Sequence, residues 1–311
     1  MRRMTGAPRY LVSPVDEDRH EPGPEQLWGE SYYMDFVTND GSLGGYLRVG
    51  WYPNLGVVWW TTAVVEPGGR TVMSVSFDAP ATPTISAIGP SFSVDLDVTA
   101  PLEVLRVQAD AVGSSFADAT AVYRGDEGRA IELSLDLEWR TDGQPFQYDA
   151  TTRYEIPCLV DGTLRLGDRS MTLRAQGQRD HSWGIRDWWT FGWCWLAARL
   201  DDGTRVHAVD VRIPDLDVAF GYVQDPSGSI QPINSADVSE ELGSEGLPTR
   251  GNCILNGGLI ELAIEPLAFG PLVLVSPDGR VARFARAMAR FTEPGGRTGL
   301  GWVEWDQPQG D

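Results

Sequence analysis

A chain of 311 residues, 42% hydrophobic and 22% charged, has the balance of a globular protein and the length for two domains or one large β domain. Its net charge of −19 excludes nucleic acid and anionic membrane surfaces as partners, because nothing in it would neutralise phosphates. All its basic residues other than histidine are Arg, which excludes a Schiff-base lysine, a pyridoxal phosphate anchor and a Walker lysine.

In chain order, residues 1–27 are a polar, Pro-rich lead-in whose His20 is expected to be solvated. The start of the chain has no apolar signal-peptide core, and no run approaches the ~18 apolar residues of a membrane helix. Three widely spaced Cys (Cys158, Cys194, Cys253) form neither a disulfide framework nor a zinc pattern. A protein of the reducing cytoplasm, with no transmembrane segment, is therefore expected.

From Trp28 the pattern is β. Gly45–Tyr52 and Gly56–Val65 flank a Pro53-Asn54 turn, and Thr71–Phe77 follows. Phe92, Val94, Leu96 and Val98 alternate with polar residues, as do Ile131, Leu133, Leu135, Leu137 and Trp139, the mark of strands with one buried face. Cys158–Leu166 reads as a short hairpin about Asp161-Gly162, and Trp193–Leu200 pairs with Arg205–Arg212 across Asp201-Asp202-Gly203. Val218–Val223 is another strand, 224–250 a long polar loop, and Ile254–Ile264 and Leu272–Val275 further strands. Val281–Phe291 has helix-forming Ala and Arg, but its place after a Pro-Asp-Gly turn favours a strand. These elements predict an all-β protein of antiparallel barrels or sandwiches with short or no helices, divided into domains at 28–160 and 161–311.

The stretch Gly177–Trp195 stands apart: it holds five of the twelve Trp, one of the three His, and the pairs Arg179-Asp180 and Arg186-Asp187. In an extended segment Arg179, His181 and Trp183 share one face and Asp180 and Ser182 the other, while Trp189, Phe191, Trp193 and Trp195 also share a face. One reading makes His181 an acid–base group facing a wall of indoles, oriented by Asp180 or Asp210. Trp faces stabilise positive charge by ~0.5–2 kcal/mol each, so such a cavity suits a carbocation-like state. The plainer reading makes the Arg-Asp pairs structural and the Trp core. His207 shares the parity of Val209 and Val211 and reads as a core residue, with a cavity position as the alternative. Glu304, between Trp302 and Trp305, is a second acid candidate. There is no nucleophile elbow or dinucleotide-binding glycine motif, and His20, His181 and His207 lack metal-ligand spacing.

Gly177-Gln-Arg-Asp-His-Ser-Trp-Gly-Ile-Arg-Asp-Trp188 resembles the Asp-His-x-Trp-Gly-type motif of the carotenoid 1,2-hydratase (hydroxyneurosporene synthase) superfamily, and the chain is most similar to its uncharacterised members. The resemblance implies two tandem lipocalin-like β-barrels with the motif near their junction, and places Asp180, His181 and Trp183 on the motif's Asp, His and Trp. The hydratases' Tyr-x-Asp element is matched here by Ala208-Val209-Asp210, which keeps the Asp but lacks the Tyr and so departs from carotenoid hydration.

Together these readings predict a cofactor-independent lyase or isomerase of hydratase, dehydratase or cyclase type, acting on a terpenoid, polyketide or lipid-like molecule, with no metal. His181, Asp180 and Asp210 are its expected catalytic residues, and Arg179, Trp183, Arg186, Trp188, Trp189, Trp193 and Glu304 its expected substrate contacts. The alternatives are a non-catalytic carrier of a hydrophobic ligand and a structural motif at the domain junction. Aromatic β surfaces leave room for a homodimer.

Overall fold

The computed structural model describes residues 12–149 and 151–310; the first part of the predicted lead-in, with the start of the chain, lies outside them. Strands form where alternation puts one apolar face against a neighbour. The first sheet comprises β1 (Trp28–Thr38), β2 (Gly44–Tyr52), β3 (Val57–Val65), β4 (Thr71–Pro80), β5 (Ala87–Gly89), β6 (Phe92–Ala100), β7 (Val104–Phe116), β8 (Arg129–Thr141), β9 (Phe146–Gln147), β10 (Arg153–Leu166) and β11 (Arg169–Ile185). β11 lies between β1 and β10, and β4 pairs with β7 through Thr71 and Phe116, so the path β4-β3-β2-β1-β11-β10-β8-β7 closes on itself.

The second sheet comprises β12 (Gly192–Leu200), β13 (Arg205–Ile213), β14 (Leu216–Gln224), β15 (Ile230–Pro232), β16 (Ala236–Leu242), β17 (Pro248–Leu255), β18 (Ile260–Phe269), β19 (Leu272–Val275), β20 (Val281–Thr292) and β21 (Thr298–Gln309). Its main path runs from β15 to β16 without a closing ladder, but Arg212 on β13 reaches Glu240 on β16 at 2.6 Å. Among the described residues the helices are limited to Pro14–Glu17, Pro53–Leu55 and Ala121–Arg124. The fold is all-β, with two tandem lipocalin-like antiparallel sheets.

Three buried layers result. One fills the first barrel (Met34, Trp51, Trp60, Trp139), one fills the second sheet (Leu196, Phe291, Val303, Trp305), and one lies between the two sheets (Tyr33, Tyr46, Trp195, Met288, Trp302). The middle layer exists because β1, β2, β10 and β11 on one side, and β12, β13, β20 and β21 on the other, are buried on both faces. That is why β2 reads as nearly continuous burial rather than alternation.

Several expectations are corrected. There is no hairpin at Asp161-Gly162: β10 runs straight through it, and the turn comes at Gly167. Gly162 (φ 145°) is required by close approach, since a Cβ there would lie 2.1 Å from the Asp136 carbonyl oxygen. The expected 160/161 division therefore falls inside a strand of the first sheet, and the change of sheet lies between Ile185 and Gly192. The polar loop 224–250 contains β15, β16 and the start of β17, whose outer faces are wet enough to hide the pattern. Ile254–Ile264 is two strands joined through Gly257-Gly258 rather than one. The Ala-rich segment, by contrast, is the strand expected of it, β20, because its small residues face the core of the second sheet.

Candidate functional site

The central motif lies on β11, and the pleat splits it between two environments. Arg179, His181 and Trp183 point into the first barrel. His181 is fully buried and stacks on Tyr32 with ring centroids 4.0 Å apart. Its Nδ1 donates to the Asp16 carbonyl (2.7 Å) and its Nε2 faces Glu30 Oε1 (3.0 Å). Both ring nitrogens thus meet acceptors. Burial pushes the Glu30 carboxyl up, but hydrogen bonds from His181 and His20 outweigh it and hold it at about 2. Arg179 donates to both oxygens of Glu17 at 2.8 and 3.0 Å.

The described part of the lead-in is therefore not a solvated tail. Asp16 and Glu17 are buried in the mouth of the first barrel, and His20 stacks flat on Trp183 (3.7 Å) and bonds Glu30 (2.7 Å). A polar segment can be buried here because charged and polar groups of the barrel await it. This arrangement gathers His20, Glu30 and His181 with donor atoms within 4.8 Å of one another, a potential metal-ligand set assembled by tertiary structure alone. Glu30 is already engaged by Arg19 at 2.6 Å and by both His, so the group is complete as a hydrogen-bonded clasp.

Asp180 and Ser182 point the other way, into an open cleft between the two sheets that encloses about 980 Å³, mouth included. Tyr33 and Arg48 (β1, β2), Tyr148 and Arg153 (before and on β10), Trp188, Trp193 and Trp195, and Arg286 and Glu304 (β20, β21) complete its walls. Arg153 Nη2 donates to Asp180 Oδ2 at 2.7 Å, and its Nε donates to Glu155 Oε1 at 2.8 Å. Two carboxylates thus share one guanidinium. Burial pushes Asp180 up to about 7, with Glu155 adding to the rise and Arg153 opposing it. Glu155 is also pushed up by burial, but Arg153 and His207 outweigh this and leave it low. Of the two, Asp180, which faces the cleft, is the one raised, and Glu155, behind it, the one lowered.

Behind Glu155 the network continues. The Tyr148 hydroxyl lies 3.1 Å from Glu155 Oε1 and 2.7 Å from His207 Nε2, and His207 donates Nδ1–H to the Leu196 carbonyl (2.9 Å). The Trp195 indole also donates to Glu155 (3.1 Å). Burial lowers His207, and burial together with Glu155 holds Tyr148 well above the usual phenol range. On the far wall Arg286 pairs with Glu304, whose other oxygen accepts the Trp193 indole N–H at 3.0 Å.

Of the residues expected to carry function, Asp180, Arg186, Trp188, Trp193 and Glu304 line the cleft. His181, Arg179 and Trp183 do not: the imidazole and the Trp wall lie on opposite sides of β11. The expected His181–indole cavity is therefore replaced by two separate environments. Asp210 is not in the cleft either. Val209 and Val211 face it, so Asp210 turns to the other side of β13 near Arg212 (3.9 Å). Trp189 is buried against Trp59 and donates to the Leu274 carbonyl (3.1 Å), and Phe191 is exposed, because residues 186–191 turn rather than extend. His207 shares the cleft-facing parity of Val209 and Val211 and lies beneath Tyr148. Sequence reasoning missed Arg48, Tyr148, Arg153, Glu155 and Arg286. A charged residue amid an apolar strand, as in Leu47-Arg48-Val49 and Ala285-Arg286-Ala287, was the available signal.

A family model described as a domain of unknown function (DUF7064) matches residues 13–309, and the chain belongs to that family. No curated protein matches the sequence. Among solved structures, an AttH protein from Nitrosomonas europaea is similar at 15% identity and TM-score 0.67, over 96% of this chain and 98% of that one. Kievitone hydratase from Nectria haematococca is similar at 12% identity and TM-score 0.61, over 96% and 93%. CghA is similar at 12% identity and TM-score 0.55, over 98% and 97%. At these identities the likeness is one of fold, that of two tandem lipocalin-like antiparallel sheets.

Proposed function

We propose that this member of the family is a lyase or isomerase of hydratase, dehydratase or cyclase type, needing no cofactor, that works on a hydrophobic small molecule in the cleft between the sheets with Asp180 as the proton-transfer group. The observation that carries this reading is a buried carboxyl, held near neutrality at about 7, facing a Trp-walled cleft. A group whose proton affinity matches the ambient pH is the most effective general acid–base. Arg153 fixes its orientation through Oδ2. Kievitone hydratase shares the fold and by its name performs hydration, which agrees with the proposed class.

The cleft favours a transition state with developing negative charge over the carbocation expected from the Trp residues alone. A unit charge 4 Å away at a partly shielded site is worth ~4 kcal/mol, more than the ~0.5–2 kcal/mol of one indole face. Four Arg line the cleft, against Asp180, Asp187 and Glu304. In a dehydration the Asp180 carboxylate takes the proton from a carbon beside a carbonyl, the carbon–oxygen bond on the next carbon breaks, and Asp180 returns the proton to the departing hydroxyl. Water leaves, Asp180 ends as it began, and hydration is the reverse.

Native mass spectrometry tests this with wild type and Asp180→Asn, each exposed to a hydrophobic extract of the producing cell in heavy-oxygen water. A bound molecule that changes mass, or takes up label, only with wild type supports the reading. The same unaltered molecule held by both makes the protein a carrier.

A further inference from the structure

The cleft holds more positive than negative charge, and the excess is localised. Arg153 is matched by Asp180 and Glu155, Arg286 by Glu304, and the remaining carboxylate, Asp187, pairs with Arg280 outside the cleft lining. Arg48 and Arg186 are left over. Among the described residues neither has a carboxylate within 4.0 Å. Arg48 is only 7% exposed, yet among the described residues its one hydrogen bond is a long contact from Nη2 to the Tyr52 hydroxyl (3.4 Å), and its guanidinium lies over the Trp188 ring at 4.8 Å. Arg186 donates only to backbone carbonyls, those of Ile185, Thr152 and Trp183. Burial lowers Arg186 to about 10, with Arg153 and Arg48 pushing the same way, so the cations repel one another across the cleft.

A buried cation without a counter-ion costs several kcal/mol, and folded proteins keep such a group where a ligand supplies the missing charge. Guanidinium forks match a flat pair of oxygens. The indoles of Trp188 and Trp193 supply the apolar wall beside them. We propose that the cleft binds a hydrophobic organic acid, with its oxyanion (a carboxylate, or the enolate oxygen of an acidic carbonyl compound) held between Arg48 and Arg186 and its ring or chain on Trp188 and Trp193. This rests on the proposed function's placing of the site in the cleft and names the substrate class for it.

Isothermal titration of the full chain with 2-naphthoate and with uncharged 2-naphthamide, which has the same shape, tests the proposal. Wild type should prefer the naphthoate by about ten-fold or more, the scale of one hydrogen bond to a charged group. That preference should vanish in Arg48→Met and in Arg186→Met, survive in Arg48→Lys, and be unchanged in Arg106→Met, which removes an exposed cation elsewhere on the first sheet. Arg186 is the less buried of the pair, so its variant serves if Arg48→Met does not fold. Equal binding of the two probes by wild type, or a preference that persists in Arg186→Met, overturns the proposal. Asp180→Asn separates it from the catalytic reading. If this variant keeps the naphthoate preference but also keeps turnover, the anion site stands and the acid–base role falls. If wild type shows no preference while Asp180→Asn abolishes turnover, the reverse holds.

Discussion

Two faces of one strand divide this protein. On β11 the residues Arg179, His181 and Trp183 enter a closed barrel and are met by Glu17, Glu30 and His20, so that Arg179 and His181 each face a carboxylate, although Nε and Nη2 of Arg179 lack hydrogen-bond partners. One residue away, Asp180 and Ser182 enter a cleft where cations outnumber carboxylates and a proton is held near neutral pH. The first face has the completeness of a structural clasp. The second has the incompleteness of a binding site. Adjacent positions of a single motif can therefore carry stability and chemistry separately, and a motif's most reactive-looking residue need not belong to its site.

The comparison would be broken most directly by His181→Ala. The substitution takes from buried Glu30 its bond to His181, leaving Arg19 and His20, and opens a void beside Tyr32, a loss of about 3–5 kcal/mol, read as a large fall in Tm or a failure to fold. A variant that keeps its Tm but loses turnover would move the catalytic assignment to the barrel.

Glu30→Gln should cost roughly 3 kcal/mol at neutral pH. Here the sign is that of a depressed acid. Its contribution is present above the unfolded value of 4.5 and is lost as pH falls toward about 2, so wild type should lose stability through that window and the variant should not. Urea titrations at several pH values read the difference.

Asp180→Asn should lower turnover by about 100-fold or more, leave Tm near pH 4 almost unmoved and raise it relative to wild type by pH 7. The sign is opposite to that of Glu30. A raised acid contributes stability below its unfolded value of 3.8 and loses it as pH rises to about 7, a loss the amide does not suffer. Turnover in wild type should follow a titration near 7.

The smallest effect is expected at Asp306, which is buried with both carboxyl oxygens lacking hydrogen-bond partners and is raised by burial and by Glu304 to about 9. It is neutral at pH 7, so Asp306→Asn should change stability by about 1 kcal/mol or less near pH 4. The variant should gain on wild type as pH climbs from 3.8 through 9, measured as the difference in Tm between the ends of that range.

Much of the fold was legible because alternation is a local property. The hairpin Gly45–Val65, the strand Phe92–Val98 and the strand Ile131–Trp139 all show their buried face in the order of their residues. So was the parity of the central motif, with Arg179, His181 and Trp183 on one side and Asp180 on the other. What the sequence could not say was which side held the cleft. That depends on β11 lying between β1 and β10, and on β12, β13, β20 and β21 stacking against its outer face. The charge balance of the site is equally non-local: Arg48, Arg153, Asp180 and Arg286 come from four different strands, and Asp180 titrates near neutral pH because burial raises it, with Glu155 adding to the rise. The chain by itself determined an all-β, lysine-free, acidic protein with a Trp-rich motif near its middle, since composition and period two survive without any tertiary contact. Only the tertiary structure decided that His181 is clasped and Asp180 is poised, because burial and charge pairing are set by neighbours far away in sequence.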